Sequence, residues 1–100
     1  MKRRRLAAFL LGVLPGLGLA QSAGQWRDAT QAWNSLCRYC HEAPIGPVLF
    51  GSNLPQAYIS LAVRSGHNAM PAFAVTQLSD KELAALSHWI TQQSAPVPRP

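Results

Sequence analysis

The chain has 100 residues, 48% of them hydrophobic and 13% charged, with two cysteines and a formal net charge of +5. That length accommodates one domain and excludes a multidomain enzyme. Lys2, Arg3, Arg4 and Arg5 supply four of the nine basic residues and directly precede Leu6 to Ala20, an uncharged run that ends in small residues. This order of basic, apolar and small-residue regions is that of a secretory signal, with the cut expected before Gln21. The run is broken by Pro15 and by glycines. It falls short of the roughly 20 residues a bilayer span needs, so no stable membrane insertion is expected after cleavage. The basic leader directs the rest of the chain outward, which makes the periplasm the expected compartment. Without the leader the net charge falls to +1. No clustered basic patch is left for a nucleic-acid partner.

Three main helices are expected in an all-α domain. Trp26, Ala29, Trp33 and Leu36 recur three or four apart and predict an amphipathic first helix ending at Cys37. Glu42 to Pro55 contains Pro44, Gly46, Pro47 and Gly51 and reads as a turn-rich loop. Pro55 stands where the first turn of a second helix tolerates it. That helix runs over Gln56 to Ser65, with Gly66 placed to close it in a left-handed cap. His67 to Leu78 is a second loop. Ser79-Asp80-Lys81-Glu82 has the capping-box pattern and opens a third helix, whose stripe is Leu83, Leu86, Trp89 and Ile90 and whose end falls near Gln92 or Gln93. Ser94 to Pro100 is an extended, proline-rich tail. The organisation is then a signal over 1–20, the domain over 21–93 and the tail over 94–100. Trp33, Phe50, Tyr58, Phe73 and Trp89 read as packing residues. Asp28, Glu42, Asp80 and Glu82 read as solvated surface groups, with no carboxylate pair set for acid and base work.

A domain of about 80 residues buries only about 60% of its unfolded surface, so it needs a staple. A disulfide between Cys37 and Cys40 would close too short a loop to supply one. A large apolar cofactor would contribute core surface worth roughly 25 cal/mol per Å² buried. Cys37-Arg38-Tyr39-Cys40-His41 is the spacing for covalent attachment of haem c. Two thiols three positions apart on one helical turn reach both vinyl groups of one porphyrin, and the adjacent His41 falls beneath the iron. A thioredoxin-like dithiol wants a preceding strand, and here a helix precedes. A structural zinc site wants two more ligands, and the chain has no further cysteine.

The distal ligand follows by elimination. Met1 leaves with the signal, and Met70 lies in a loop with Gly66 before it and Pro71 after it, which restricts Met70 to extended backbone. His67 and His88 are the competitors. His88 neighbours a buried helix stripe, and His67 adjoins the loop hinge. His41 also needs an acceptor for its second ring nitrogen, and the Ile45-Gly46-Pro47 stretch offers backbone carbonyls.

With Cys37-Arg38-Tyr39-Cys40-His41, Gly46-Pro47-Val48-Leu49 and Met70-Pro71 in place, the chain resembles the class I c-type cytochromes. The resemblance implies their small fold of about three main helices around one covalent haem. It also implies that Pro47 supplies the carbonyl facing His41, that Met70 is the distal iron ligand and that the first and last helices cross near Ala29 and Trp89. More narrowly, Gly46 to Gly51, Leu54 to Ile59 and Ala69-Met70-Pro71-Ala72-Phe73 are similar to the cytochrome subunits of p-cresol methylhydroxylase-type flavocytochromes, which oxidise 4-alkylphenols. This implies a flavoprotein dehydrogenase subunit carrying FAD as electron donor, and a soluble copper protein or another cytochrome as acceptor.

The function expected is single-electron transfer, with both axial positions filled and no catalytic residues. Two alternatives stand beside the dedicated subunit. One is a free soluble carrier between another periplasmic dehydrogenase or respiratory complex and a terminal oxidase. The other, from a different class, is a thiol-redox or haem-binding interaction protein, which would need a labile axial site or an unmodified Cys37-Cys40 pair.

Overall fold

The computed structural model describes residues 24–96. The expected signal over 1–20, residues 21–23 of the domain and residues 97–100 of the tail lie outside the described residues. The described chain contains no strand, only one isolated backbone pairing between His67 and Met70. Its helices form three rods, as the periodicity predicts. The first is a continuous run of α1 (Ala29–Ala32), a π-helical stretch (Trp33–Cys37) and α2 (Arg38–His41). The others are α3 (Gln56–Ser65) and α4 (Asp80–Thr91).

The first rod differs from the expected helix at both ends. It begins at Ala29 because Asp28 caps it, accepting from the Gln31 N–H at 2.9 Å, while Gln31 Oε1 accepts from the Arg27 N–H. Asp28-x-x-Gln31 is a helix-start signal set inside the apolar stripe. Trp26 therefore lies before the helix and is tied elsewhere. Its backbone N–H donates to Glu82 at 2.7 Å and its indole N–H donates to the Gln77 carbonyl at 2.8 Å. The rod continues past Cys37 to His41, which places the whole attachment motif on helical backbone. In the π stretch the Arg38 N–H reaches back five residues to the Trp33 carbonyl. Such wide turns are rare and concentrate at functional sites.

The centre of the core is Trp33, with only 1% of its surface exposed. Its ring lies 4.5 Å from Phe50 and 5.9 Å from Trp89, centroid to centroid, and Phe50 meets Trp89 edge-on at 5.6 Å. Trp33 against Trp89 is thus the aromatic contact between the first and last rods. Ala32, Ile59, Val63, Leu78, Leu83, Leu86 and Ile90 complete the buried set. Buried Ser87 is satisfied by Ser60, 2.8 Å away across the α3–α4 seam. An unpaired hydroxyl there would cost about 1–3 kcal/mol.

Helix α3 starts from Pro55, whose extended backbone (ψ 145°) makes it the cap residue just before the first turn. Gly66 ends α3 with φ 73° and ψ 169°. The φ is positive as expected, but the ψ lies outside the left-handed helical region. The chain leaves extended because it passes hard against the second loop: a Cβ on Gly66 would stand 2.8 Å from the Ala72 nitrogen and 2.9 Å from the Met70 carbonyl oxygen.

Helix α4 has the expected capping box, with the Glu82 N–H on Ser79 Oγ at 3.1 Å and the Ser79 N–H on Glu82 Oε1 at 2.8 Å. Glu82 is therefore no idle surface group, since it also holds Trp26. Burial raises its pKa, but hydrogen bonds from Ser79, Trp26 and Gln25 outweigh this and leave it below the ordinary glutamate value. A carboxyl with a depressed folded-state pKa contributes its full stability above the unfolded value and loses it as pH falls through the folded value. Glu82→Ala is expected to cost about 1–2 kcal/mol at neutral pH through loss of the cap. Thermal denaturation down a series from about pH 7 to about pH 3 checks the linkage, because the gap between wild type and Glu82→Gln should narrow toward acid. A constant gap across the series would show that the Glu82 charge contributes nothing to the cap. The expected tail is present over 94–96 as irregular chain, and Ala95 lies where a Cβ on Gly51 would stand, 2.7 Å from its own Cβ.

Candidate functional site

The first rod, the loop after it, α3 and the second loop enclose a cavity of about 580 Å³, a size typical of sites for sizeable ligands. Cys37, Cys40, His41, Pro47 and Met70 all line it, so the structure brings every sequence-derived site residue to one place. Of the two competing histidines, His67 reaches the same cavity, whereas His88 is exposed and does not line it. The floor is apolar, made by Leu36, Leu49, Ile59, Phe73, Leu86 and Ile90.

Helix α2 presents Cys40 and His41 at its C-terminal end, and the loop after it folds back over the imidazole. The Gly46 N–H donates to the Cys40 carbonyl at 2.8 Å. A Cβ at Gly46 would stand 3.2 Å from both Cε1 and Nδ1 of His41, so a larger residue would force the ring to give. One residue further on, the Pro47 carbonyl oxygen lies 2.8 Å from His41 Nδ1. With Nδ1 donating there, Nε2 is left as the lone-pair nitrogen, the tautomer a metal requires. Behind the imidazole lies Trp33, at 6.1 Å between ring centroids. The indole N–H of Trp33 donates to Glu42 Oε2. Glu42, read from sequence as a solvated group, thus serves as the acceptor for a buried tryptophan immediately after His41. Nothing in the local spacing signals a partner nine residues away.

Met70 is delivered by a tight turn. The His67 N–H donates to the Met70 carbonyl at 3.0 Å and the Met70 N–H to the His67 carbonyl at 2.9 Å, with Asn68 at φ 51°. Asp80, another of the four carboxylates read as surface, pairs with Arg64 at 2.7 Å. Burial pushes the Cys37 thiol up to about 12. A nucleophilic dithiol needs the opposite shift, toward thiolate near neutral pH. The thiol-redox reading therefore has no activated sulfur at Cys37.

A sequence profile described as "Cytochrome C oxidase, cbb3-type, subunit III" matches residues 24–90. The chain is also 37% identical over 91 residues to the "4-cresol dehydrogenase [hydroxylating] cytochrome c subunit" of Pseudomonas putida, an alignment that covers 89% of this chain and 80% of that one. The chain belongs to the cytochrome c family. The fold of this cytochrome is similar to a crystal structure of p-cresol methylhydroxylase with substrate bound. The TM-score is 0.65 with 35% identity, over 72% of this chain and all of that one. A second crystal structure of p-cresol methylhydroxylase gives a TM-score of 0.63 at 35% identity, over 70% and 99%. As a cytochrome it is an electron-transfer protein and not a catalytic subunit, and the group its family carries is haem c.

The cavity of the cytochrome fits that group on its own chemistry. Ile45, Val48 and Tyr58 line it while remaining more than half exposed. Large apolar side chains left open around one cleft mark a surface shaped for an apolar body. Two sulfurs, one oriented imidazole and one thioether converge on the same cleft, and these are the donor types of haem c attachment and ligation.

Proposed function

We propose that this chain is a periplasmic monohaem cytochrome c that takes single electrons from the flavin subunit of an alkylphenol-oxidising dehydrogenase and passes them to a soluble copper protein or another cytochrome. The observation that carries the haem assignment is the convergence of the Cys37-x-x-Cys40-His41 turn and Met70 on one apolar cavity, with His41 Nδ1 engaged by Pro47. Cys37 and Cys40 would hold the haem covalently, and His41 and Met70 would ligate its iron. When bound, the haem supplies an iron that alternates between ferric and ferrous states. The protein's residues tune that exchange. The Pro47 carbonyl fixes the imidazole tautomer and raises its basicity, the Met70 thioether favours the reduced state relative to a second histidine, and the apolar floor disfavours extra positive charge.

The partner assignment draws on the relative of Pseudomonas putida, named as the cytochrome c subunit of a hydroxylating 4-cresol dehydrogenase, and on the p-cresol methylhydroxylase structures. Export is supported by the leader sequence, in which Lys2 to Arg5 precede the apolar run to Ala20. With only +1 outside the leader, long-range steering is weak and recognition rests on shape and apolar contact.

The test is affinity purification from the native periplasm, followed by a visible spectrum, the intact mass and identification of any copurifying subunit. The expected result is a red protein heavier than its polypeptide by one haem, starting at Gln21 and bound to a flavoprotein. Recovery as a coloured monomer would replace the dedicated subunit with a free carrier. A colourless chain of polypeptide mass would remove the haem as well.

A further inference from the structure

Arg64 grips the loop that carries Met70 from outside the cavity, and we propose that it is the positioning residue that keeps the Met70 sulfur at its place. This inference rests on Met70 being the distal ligand. Arg64 lies in the last turn of α3. Its Nη1 donates to the Phe73 carbonyl at 3.1 Å and to the Leu78 carbonyl at 2.9 Å, while Nη2 meets Asp80 Oδ1 at 2.7 Å. The two carbonyls bracket a closed turn in which the N–H groups of Gln77 and Leu78 return to the Ala74 carbonyl. One guanidinium therefore grips both ends of the segment after Met70 and ties it to α3.

The grip reaches Met70 through little intervening slack. Only Pro71 and Ala72 separate Met70 from Phe73, and the ring of Pro71 fixes its own φ. The Phe73 N–H donates to the Val63 carbonyl at 2.9 Å, beside Arg64 on the same helix. Gly66 closes against the Ala72 nitrogen and the Met70 carbonyl. A shift of Phe73 thus has few ways to be absorbed before it moves Met70. The carbonyl bonds matter more than the ion pair. The Arg64 side chain is 25% exposed, whereas that of Asp80 is 89% exposed, and an ion pair open to water on one side contributes little. Hydrogen bonds from a charged donor to partly buried carbonyls are the stronger interaction.

The test uses the intact holoprotein and reads how readily an added ligand displaces the thioether. Arg64→Met keeps an apolar stem of similar length and removes every donor, Arg64→Lys restores a single charged donor, and Asp80→Asn removes only the ion pair. The rate of imidazole binding to the ferric protein is measured at a temperature where far-UV circular dichroism shows each variant folded. Arg64→Met is expected to raise that rate by about tenfold, the scale of one lost charge-assisted hydrogen bond. Arg64→Lys should show a smaller rise, and Asp80→Asn should stay within about twofold of wild type, as an exposed pair predicts. A wild-type rate in Arg64→Met, or an equal rise in Asp80→Asn, overturns the proposal. If Arg64→Met does not fold, an unchanged rate in Arg64→Lys overturns it instead. The wild-type ferric spectrum separates the ligand from the clamp. Absence of the near-infrared charge-transfer band of a thioether ligand defeats Met70 ligation and the clamp together. Its presence with unaltered exchange in the arginine variants defeats the clamp alone.

Discussion

Met70→Ala is expected to leave a folded, red protein whose iron has an open sixth position. The backbone that presents Met70 does not depend on its side chain. The His67–Met70 hydrogen bonds are main-chain, as is the bond from Phe73 to Val63, and alanine suits the extended conformation imposed by Pro71. Met70 is only partly buried, so truncation should cost about 2 kcal/mol, the low end for losing a large aliphatic side chain. The electronic effect should be larger than the structural one. On the proposed ligation, removing the thioether would take away a ligand that favours ferrous iron and let water in at the cleft mouth. A fall in potential of at least about 60 mV is expected, which is a tenfold change in a one-electron equilibrium. Carbon monoxide should bind the ferrous variant and not the wild type. Redox titration and carbon monoxide difference spectra check both effects. An unchanged potential and oxidised-state spectrum would falsify the ligand assignment.

His41→Ala should be more damaging, because on the proposed ligation one side chain would serve the iron and the fold together. Its Nδ1 satisfies the Pro47 carbonyl, its ring fills the space against Gly46 and it lies 6.1 Å from the Trp33 ring, tilted by 38°. The hydrogen bond is exposed, so its loss alone costs about 0.5–1.5 kcal/mol. Loss of the proposed proximal ligand would add to that by releasing the loop over Glu42 to Pro47 from the haem. A melting temperature lower by at least about 10 °C is expected, since each kcal/mol moves a domain of this size by about 4–8 °C. The yield of haem-loaded protein should fall alongside it. Thermal denaturation and the ratio of haem absorbance to protein measure the two effects. A native six-coordinate spectrum at wild-type stability would show that His41 holds neither.

Whether a feature of this cytochrome is legible in its sequence depends on whether it is encoded locally. The attachment turn, the α4 capping box and the α3 limits are short-range patterns, and each stands in the structure close to where its residues place it. The start of the first rod departs from expectation although its signal is local, because the Trp26 to Leu36 stripe matches a helix more strongly than Asp28 and Gln31 mark its beginning. Trp26 is apolar for another reason: it locks onto Glu82 and Gln77, more than 50 residues away in sequence. The roles of Glu42 and Arg64 are out of reach for the same cause. A carboxylate that receives an indole N–H, or a guanidinium that gathers two carbonyls and a carboxylate, is created by tertiary packing. In each case residue type supplies a charge and no address.

The wide turn over Trp33–Cys37 divides the first rod into two independently aimed pieces. In an α-helix each residue advances the side-chain direction by about 100°, so an extra residue per turn rotates everything downstream by about that angle. Ala29–Ala32 is phased to meet α4, and Arg38–His41 is phased to offer sulfur and imidazole to the cleft. Swapping exposed Asn34 or Ser35 for other helix-compatible residues should leave this offset intact, because it follows from a count of residues. Chain length between the two tethers, more than residue identity, is therefore what keeps the cysteine pair and the aromatic core pointing at their separate targets.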